Sequence, residues 1–161
     1  LRRAVAFTGP SNSGKTTIIT KVAKLLLPKH HVAIVKNDPK DKAQFDVEGK
    51  DSYKFFQTGA EVVVTSPTRT TYFSHRHRDI DEIIAMLGDF DYLLVEGLKY
   101  LPLPRIGVFR GSVDPSYFDY IQAVAIDGSV DRSTIPEHIE ILDLNDPRQI
   151  LSWIQANAKE V

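Results

Sequence analysis

Residues 4–17, AVAFTGPSNSGKTT, place a glycine-rich turn between an apolar run and an amphipathic pattern that continues to Leu27. Ala4 to Thr8 has the composition of a short strand, and Lys15 to Leu27 that of a helix. Between them Gly9, Gly14, Lys15 and Thr16 satisfy GxxxxGKT, the spacing at which a loop wraps a β-phosphate. In that reading the backbone N–H groups of Gly9, Ser11, Asn12, Ser13, Gly14 and the first helical turn, Lys15 to Thr17, converge on an anion. The positive end of the following helix adds to the attraction. Lys15 neutralises β/γ-phosphate charge, and the Thr16 hydroxyl ligates Mg²⁺. The alternative is a plain glycine turn, but a strand before the motif and an amphipathic helix after it favour the cradle.

Outward from this motif, short β-rich runs alternate with helical patterns. The runs are Ala4–Thr8, Val32–Lys36, Glu61–Thr65, Tyr92–Glu96, Ile106–Phe109, Ala123–Asp127 and Ile139–Leu142; the helical patterns are Lys15–Leu27, Lys50–Gln57, Asp79–Leu87 and Pro147–Ala158. That alternation predicts an α/β fold: a P-loop NTPase-like, mostly parallel, doubly wound sheet flanked by helices. Ala4–Thr8 and Tyr92–Glu96 are expected at its centre, with an antiparallel excursion near 61–74 around Pro67. Asp79 and Glu82 read as a capping box, and Gly88 as the stop of that helix. Asp146, Pro147 and Gln149 open the last helix similarly. Two irregular stretches remain, 37–49 and 67–78, the second carrying Arg69, His75, Arg76, His77 and Arg78. Each is either a solvated loop or a functional one.

The 161 residues, 42% hydrophobic, suit one nucleotide-binding domain spanning 1–161. Twenty basic against twenty-one acidic side chains give no field for nonspecific nucleic-acid or anionic-membrane binding. Any charged ligand is therefore held by local groups. Without cysteine the chain makes neither disulfides nor thiolate metal sites. No signal-peptide pattern and no apolar run near twenty residues is present, so a soluble cytoplasmic protein is expected.

A P-loop needs an acidic partner for its metal. Glu96, ending the apolar run FDYLLVE before Gly97, would face the ligand crevice at the carboxyl edge of the sheet, there to hold Mg²⁺ or orient an attacking water. Asp38, after VAIVK, also falls at a predicted strand end, and the metal role stays divided between the two. Asp46, Lys50, Asp51 and Ser52 bracket the start of a helix, where their polar groups serve as caps or as ligand contacts. No NKxD sequence reads guanine. Asp127 is the candidate for that contact, since a carboxylate accepts both guanine N–H groups, and equally a turn aspartate before Gly128. His30, His31, His75, His77 and His138 show no metal spacing.

The ordered set GPSNSGKT, D-x-x-GKDS-Y (Asp46 to Tyr53), a Gly59-Ala60 helix stop, LLVEGLK (Leu93 to Lys99) and P-R-I-x-V-x-R (Pro104 to Arg110) resembles the molybdopterin-guanine dinucleotide biosynthesis protein B family. The closing NDPRQILSWI, Asn145 to Ile154, also looks like that family's last helix. The resemblance implies a GTP-binding protein with weak, Mg²⁺-dependent GTPase activity, cytoplasmic and homodimeric, working beside the guanylyltransferase that attaches GMP to molybdopterin. By carry-over, Gly14, Lys15 and Thr16 hold phosphates and Mg²⁺, Glu96 matches the acidic strand end, and Lys99 the lysine after VEG. Asp46, Lys50, Asp51 and Ser52 match the loop-to-helix motif. One departure is that Lys36-Asn37-Asp38-Pro39-Lys40 carries none of the histidines common in the family at this point. A reading from a different class is a small-molecule kinase, with the basic segment 67–78 as a lid over the phosphates.

Overall fold

The computed structural model describes residues 1–161. In chain order the elements are β1 (Arg3–Thr8), α1 (Lys15–Leu26), β2 (Val32–Lys36), α2 (Asp51–Gln57), β3 (Val62–Thr65), β4 (Thr70–Phe73), α3 (Ile80–Leu87), β5 (Tyr92–Glu96), β6 (Arg105–Phe109), β7 (Ala123–Ile126), β8 (Glu140–Asp143), α4 (Pro147–Asn157) and β9 (Lys159–Glu160). Two compact units result: residues 1–37 with 89–161, and residues 38–88.

In the first unit six strands run parallel in the order β2-β5-β1-β6-β7-β8. β1 and β5 lie inside the sheet and are buried on both faces, which is why AVAF and YLLV read as unbroken apolar runs rather than alternations. One face packs Val5, Phe7, Leu94 and Val108 against Ile18, Val22 and Leu26 of α1 and Ile150, Trp153 and Ile154 of α4. On the other face, at the β6–β8 end, Phe109, Val124 and Ile126 pack with Ile121, Val130, Ile135 and Ile139 from the intervening loops. The mostly parallel sheet with β1 and β5 inside it agrees with the sequence expectation.

β9, a two-residue strand, carries no strand pattern of its own. β1 begins pairing with β6 only at Ala6, opposite Arg105, so the start of that edge of β1 is open. Lys159 and Glu160 fill it antiparallel, opposite Ala4 and Arg3, and satisfy backbone groups that would otherwise be stranded beside a buried core.

The second unit contains the expected antiparallel excursion: β3 pairs with β4 from Val62↔Phe73 to Thr65↔Thr70, closed by Ser66 N–H donating to Arg69 O at 3.0 Å. α3 starts with the capping box read from sequence. Glu82 N–H donates to Asp79 Oδ1 at 2.9 Å, and Asp79 N–H to Glu82 Oε1 at 3.2 Å. Glu61, just before β3, accepts from the Tyr72 hydroxyl and from His75 N–H at 3.0 Å. The Ser74 hydroxyl first, then these two donors, hold its carboxyl down to about 2. Segment 67–78 is thus the hairpin turn, β4 and its exit, with Arg76 3.9 Å from Glu61 and Arg78 3.7 Å from Glu82.

Candidate functional site

The turn after β1 needs its glycines. Gly9 has φ +144°, and a Cβ on it would stand 2.3 Å from the carbonyl oxygen of Val108 in β6. Gly14 has φ +103° and leads into α1 from a left-handed conformation, and Asn12 also has positive φ, +62°. Only glycine meets the first requirement without moving a neighbouring strand. α1 begins with no side-chain cap and no acidic residue in its first turn. Its leading N–H groups are therefore left to whatever anion enters the turn, as the helix dipole also favours.

Lys15 bends back over the turn, its ammonium donating to Gly9 O at 2.5 Å and Pro10 O at 3.0 Å. Burial lowers its pKa, Glu96 opposes that shift, and Lys36 adds to it. Ser11 to Thr17, Lys36, Glu96 and Arg110 line one cavity of about 520 Å³. Every P-loop residue expected to touch phosphate except Gly9 lines that cavity, together with Glu96. Ser13 is buried and its hydroxyl has no partner in the protein. Such a donor in a cradle of this kind fits an incoming anion.

Glu96 is tied to Lys36 by a 2.9 Å ion pair, and the pairing follows from register, since these residues stand opposite each other in β5 and β2. Arg110, which follows β6, was given no role by the sequence reading. Its Nε lies 3.7 Å from Asp127 Oδ2. The available signal was its place one residue past a strand ending at the carboxyl edge of the sheet. Asp127 closes a turn, Oδ1 accepting from Ser129 N–H at 3.0 Å and from the Ser129 hydroxyl. Those bonds, the hydroxyl foremost, lower its pKa, with a smaller contribution from Arg110.

The loop after Glu96 is organised by a residue sequence reading missed. Arg105, 1% exposed, donates to the carbonyls of Gly97 at 2.7 Å, Leu98 at 2.8 Å and Leu101 at 3.2 Å. Burial lowers its pKa. Leu98 is held at φ +52° in this loop, and Lys99 stands 5.9 Å over the Tyr120 ring.

In the second unit, Asp38 accepts from Ala43 N–H at 2.7 Å and so shapes its own turn. Asp46 Oδ1 accepts from Val47 N–H at 2.8 Å and the Ser52 hydroxyl at 3.2 Å, while its buried Oδ2 has no partner. Lys50 is the N-cap of α2 without a side-chain bond, and Asp51 lies in its first turn. Asp46 and Ser52 are thereby brought together.

No group of three or more His, Cys, Asp or Glu side chains converges as a metal cage. Mg²⁺ fits this chain as it fits phosphate sites generally, with one hydroxyl and one carboxylate from protein and the rest from phosphate and water. Thr16 and Glu96, one hydroxyl and one carboxylate, line the same cavity. No helix is long and apolar enough to cross a membrane.

Sheet, glycine-rich turn and bare-ended helix define a P-loop NTPase-like α/β protein. Residues 4–127 match the family model of Molybdopterin guanine dinucleotide synthesis protein B. The chain belongs to that family. It is 30% identical over 162 aligned residues to the Molybdopterin-guanine dinucleotide biosynthesis adapter protein of Haemophilus influenzae, covering 94% of this chain and 86% of that one. Its identity to the Putative molybdopterin-guanine dinucleotide biosynthesis adapter protein of Methanocaldococcus jannaschii is 28%, over 78% of this chain and 55% of that longer one. Among solved structures, a crystal structure of molybdopterin-guanine biosynthesis protein B superimposes with a TM-score of 0.72 at 26% identity, over 95% of this chain and 98% of the other.

Proposed function

We propose that this chain is a GTP-binding adapter in molybdopterin guanine dinucleotide biosynthesis, with a slow Mg²⁺-dependent GTPase activity. It works beside the guanylyltransferase that joins GMP to molybdopterin, in the cytoplasm and as a homodimer. The observation that carries the reading is the 520 Å³ cavity in which the P-loop, Lys15, Thr16 and Glu96 meet, in a chain whose family is named for this synthesis.

The backbone amides of Ser11 to Thr17 and the Lys15 ammonium hold the β- and γ-phosphates. Thr16 and Glu96 would hold Mg²⁺, which would supply neutralisation of phosphate charge. Lys15 exchanges its two carbonyl partners in the turn for phosphate oxygens, which are stronger acceptors for an ammonium. Glu96 gives up Lys36 to serve the metal or a water, and the freed Lys36 ammonium stays in the cavity as a further cation. Arg110, the third cation of the cavity, shares its charge with Asp127, which accords with slow turnover. A homodimer accords with a second unit that leaves Phe55 and Val63 each 60% exposed. The kinase reading has less support, since the basic segment it needs as a lid is folded into the β3–β4 hairpin and its exit.

Calorimetric titration with GTP and ATP, with and without Mg²⁺, tests the proposal. GTP should bind one to one and more tightly than ATP, and Lys15→Ala should weaken it about 10- to 100-fold, the loss of one charge-assisted contact. Alanine preserves the helix, so circular dichroism should be unchanged. Equal GTP affinity in parent and variant would overturn the reading, and turnover that begins only when an acceptor is added would transfer it to the kinase class.

A further inference from the structure

A second cavity, about 710 Å³, shares no lining residue with the phosphate cradle. Pro104 and Gln122 in its wall immediately precede β6 and β7, and Lys159 belongs to β9, which pairs with the start of β1. It therefore borders the starts of β6 and β7, while Lys99 and Tyr100 in its wall follow the carboxyl end of β5. Its volume is in the range of small-molecule sites.

The wall formed by residues 99–104 is built rather than incidental. Burying the Arg105 guanidinium with no carboxylate beside it is costly. That charge is committed to three loop carbonyls, those of Gly97, Leu98 and Leu101, and so fixes a backbone that includes Leu98 at positive φ. Strain retained in this manner concentrates where a surface is pre-shaped for a ligand. Gln122 Oε1 accepts from Arg105 N–H at 2.8 Å and ties the adjoining wall to the same residue.

The lining chemistry is one-sided. Lys99 and Lys159 contribute ammonium groups, and no aspartate or glutamate lines the cavity. Tyr100, Tyr120 and Trp153 contribute aromatic surface. Tyr100 is 71% exposed, so the fold's own packing does not account for it. Trp153 is 6% exposed, and its buried indole N–H has no acceptor in the protein. An orphaned donor in an apolar wall that also carries aromatic and cationic side chains wants an acceptor-bearing ring.

We propose that this cavity binds a fused heteroaromatic ring carrying a negatively charged group. The ring lies against the aromatic side chains and offers acceptors to the wall, and the anion is drawn to Lys99 and Lys159. The site is separate from the cradle and stands without the nucleotide reading.

Trp153 is the sole tryptophan, so its emission reports on this wall alone. Pterin-6-carboxylate, a bicyclic heteroaromatic anion, is titrated into the full chain, with emission and calorimetry recorded in parallel and GTP titrated separately into the same preparation. Saturable quenching is expected, with matching calorimetric affinity that changes by less than about twofold when GTP is already bound, as for independent sites. The double variant Tyr100→Ala, Lys159→Glu alters two exposed side chains and should fold normally. It should weaken the pteridine about tenfold, from one aromatic and one charged contact, and leave GTP affinity as in the parent. Three results would each overturn the proposal: no saturable signal at millimolar pteridine, equal affinity in the double variant, or displacement of the pteridine by GTP. Loss of GTP binding alone, with pteridine binding retained, counts against the nucleotide reading and leaves this site standing.

Discussion

Replacing Gly9 by alanine perturbs the cradle without changing any charge. The new Cβ would meet Val108 O at 2.3 Å, where real Cβ atoms do not approach closer than 3.0 Å. Neither side can yield cheaply. Thr8, just before Gly9, is paired with Gly107 in β6, and Val108 is fully buried. The residue must also hold φ +144°, which for a non-glycine costs about 1–3 kcal/mol. The loop should relieve the clash by moving most of an ångström, taking Gly9 O away from the Lys15 ammonium and the amides away from the phosphate position. A misplacement of that size costs about 100-fold in a positioned site. Calorimetry with GTP should therefore show a loss of about two orders of magnitude. Thermal melting should drop by about 2–4 °C for each kcal/mol lost. Two other glycines provide the scale, because Gly111 has positive φ with open space around it and Gly128 has neither strain nor a neighbour within 4 Å. Gly111→Ala should lower the melting temperature and keep GTP affinity, and Gly128→Ala should change neither. A folded Gly9→Ala protein binding GTP within about twofold of the parent would refute the cradle geometry, since the clash would then have been absorbed away from the ligand.

Arg105→Met leaves three half-buried loop carbonyls without their donor and should cost on the order of 3 kcal/mol, read as a fall of about 6–12 °C in the melting temperature; a change under about 2 °C would show that the loop holds its shape by other means. Glu96→Gln should barely alter stability, because its partner Lys36 is 68% exposed and such pairs contribute about 0–1 kcal/mol. The same variant should slow single-turnover GTP hydrolysis at least about tenfold if Glu96 orients water, or raise the Mg²⁺ concentration needed for binding if it serves the metal; parent-like values in both assays would remove it from the site. Glu61 titrates near 2 against an ordinary value of 4.5. Its depressed pKa contributes stability that is complete above pH 4.5 and is lost as pH falls toward 2. Melting curves across that window should flatten in Glu61→Gln, and an unchanged slope would mean that the hydroxyl and amide donors around this carboxylate do not favour its charge.

Much of this architecture was legible because its signals are local. Short apolar runs set between helical patterns marked the strands, Asp79 and Glu82 marked the start of α3 by a bond pattern that repeats wherever the spacing occurs, and the glycines of the turn announced a backbone that side chains rarely adopt. What stayed hidden depends on neighbours distant in sequence. Lys159 and Glu160 have no strand propensity, and they pair only because β6 starts too late to cover the beginning of β1. The bond between Lys36 and Glu96 needed the strand order, since only the adjacency of β2 and β5 sets those residues opposite one another. Arg105 sits in LPLPRIGVF, where an arginine reads as solvent-facing. Its acceptors are backbone carbonyls, and these leave no mark on residue identity.

Gly9 is seated against Val108, and β1 lies between β5 and β6, strands about ninety to a hundred residues further along the chain. A nascent polypeptide that has emitted only GPSNSGKT and α1 has the motif but not the site, because one wall of the turn has yet to be synthesised. Closing loops that long precedes any reward from pairing, so the central strands assemble slowly and together. A nucleotide bound as proposed would accordingly recognise β1 assembled between β5 and β6 and no fragment that ends before β6. At a hundred times its dissociation constant it would add about 2.7 kcal/mol to the cooperative unfolding of the whole first unit rather than to a local opening of the loop. Occupancy of the phosphate cradle would thus also report that β6 has been made and has paired with β1.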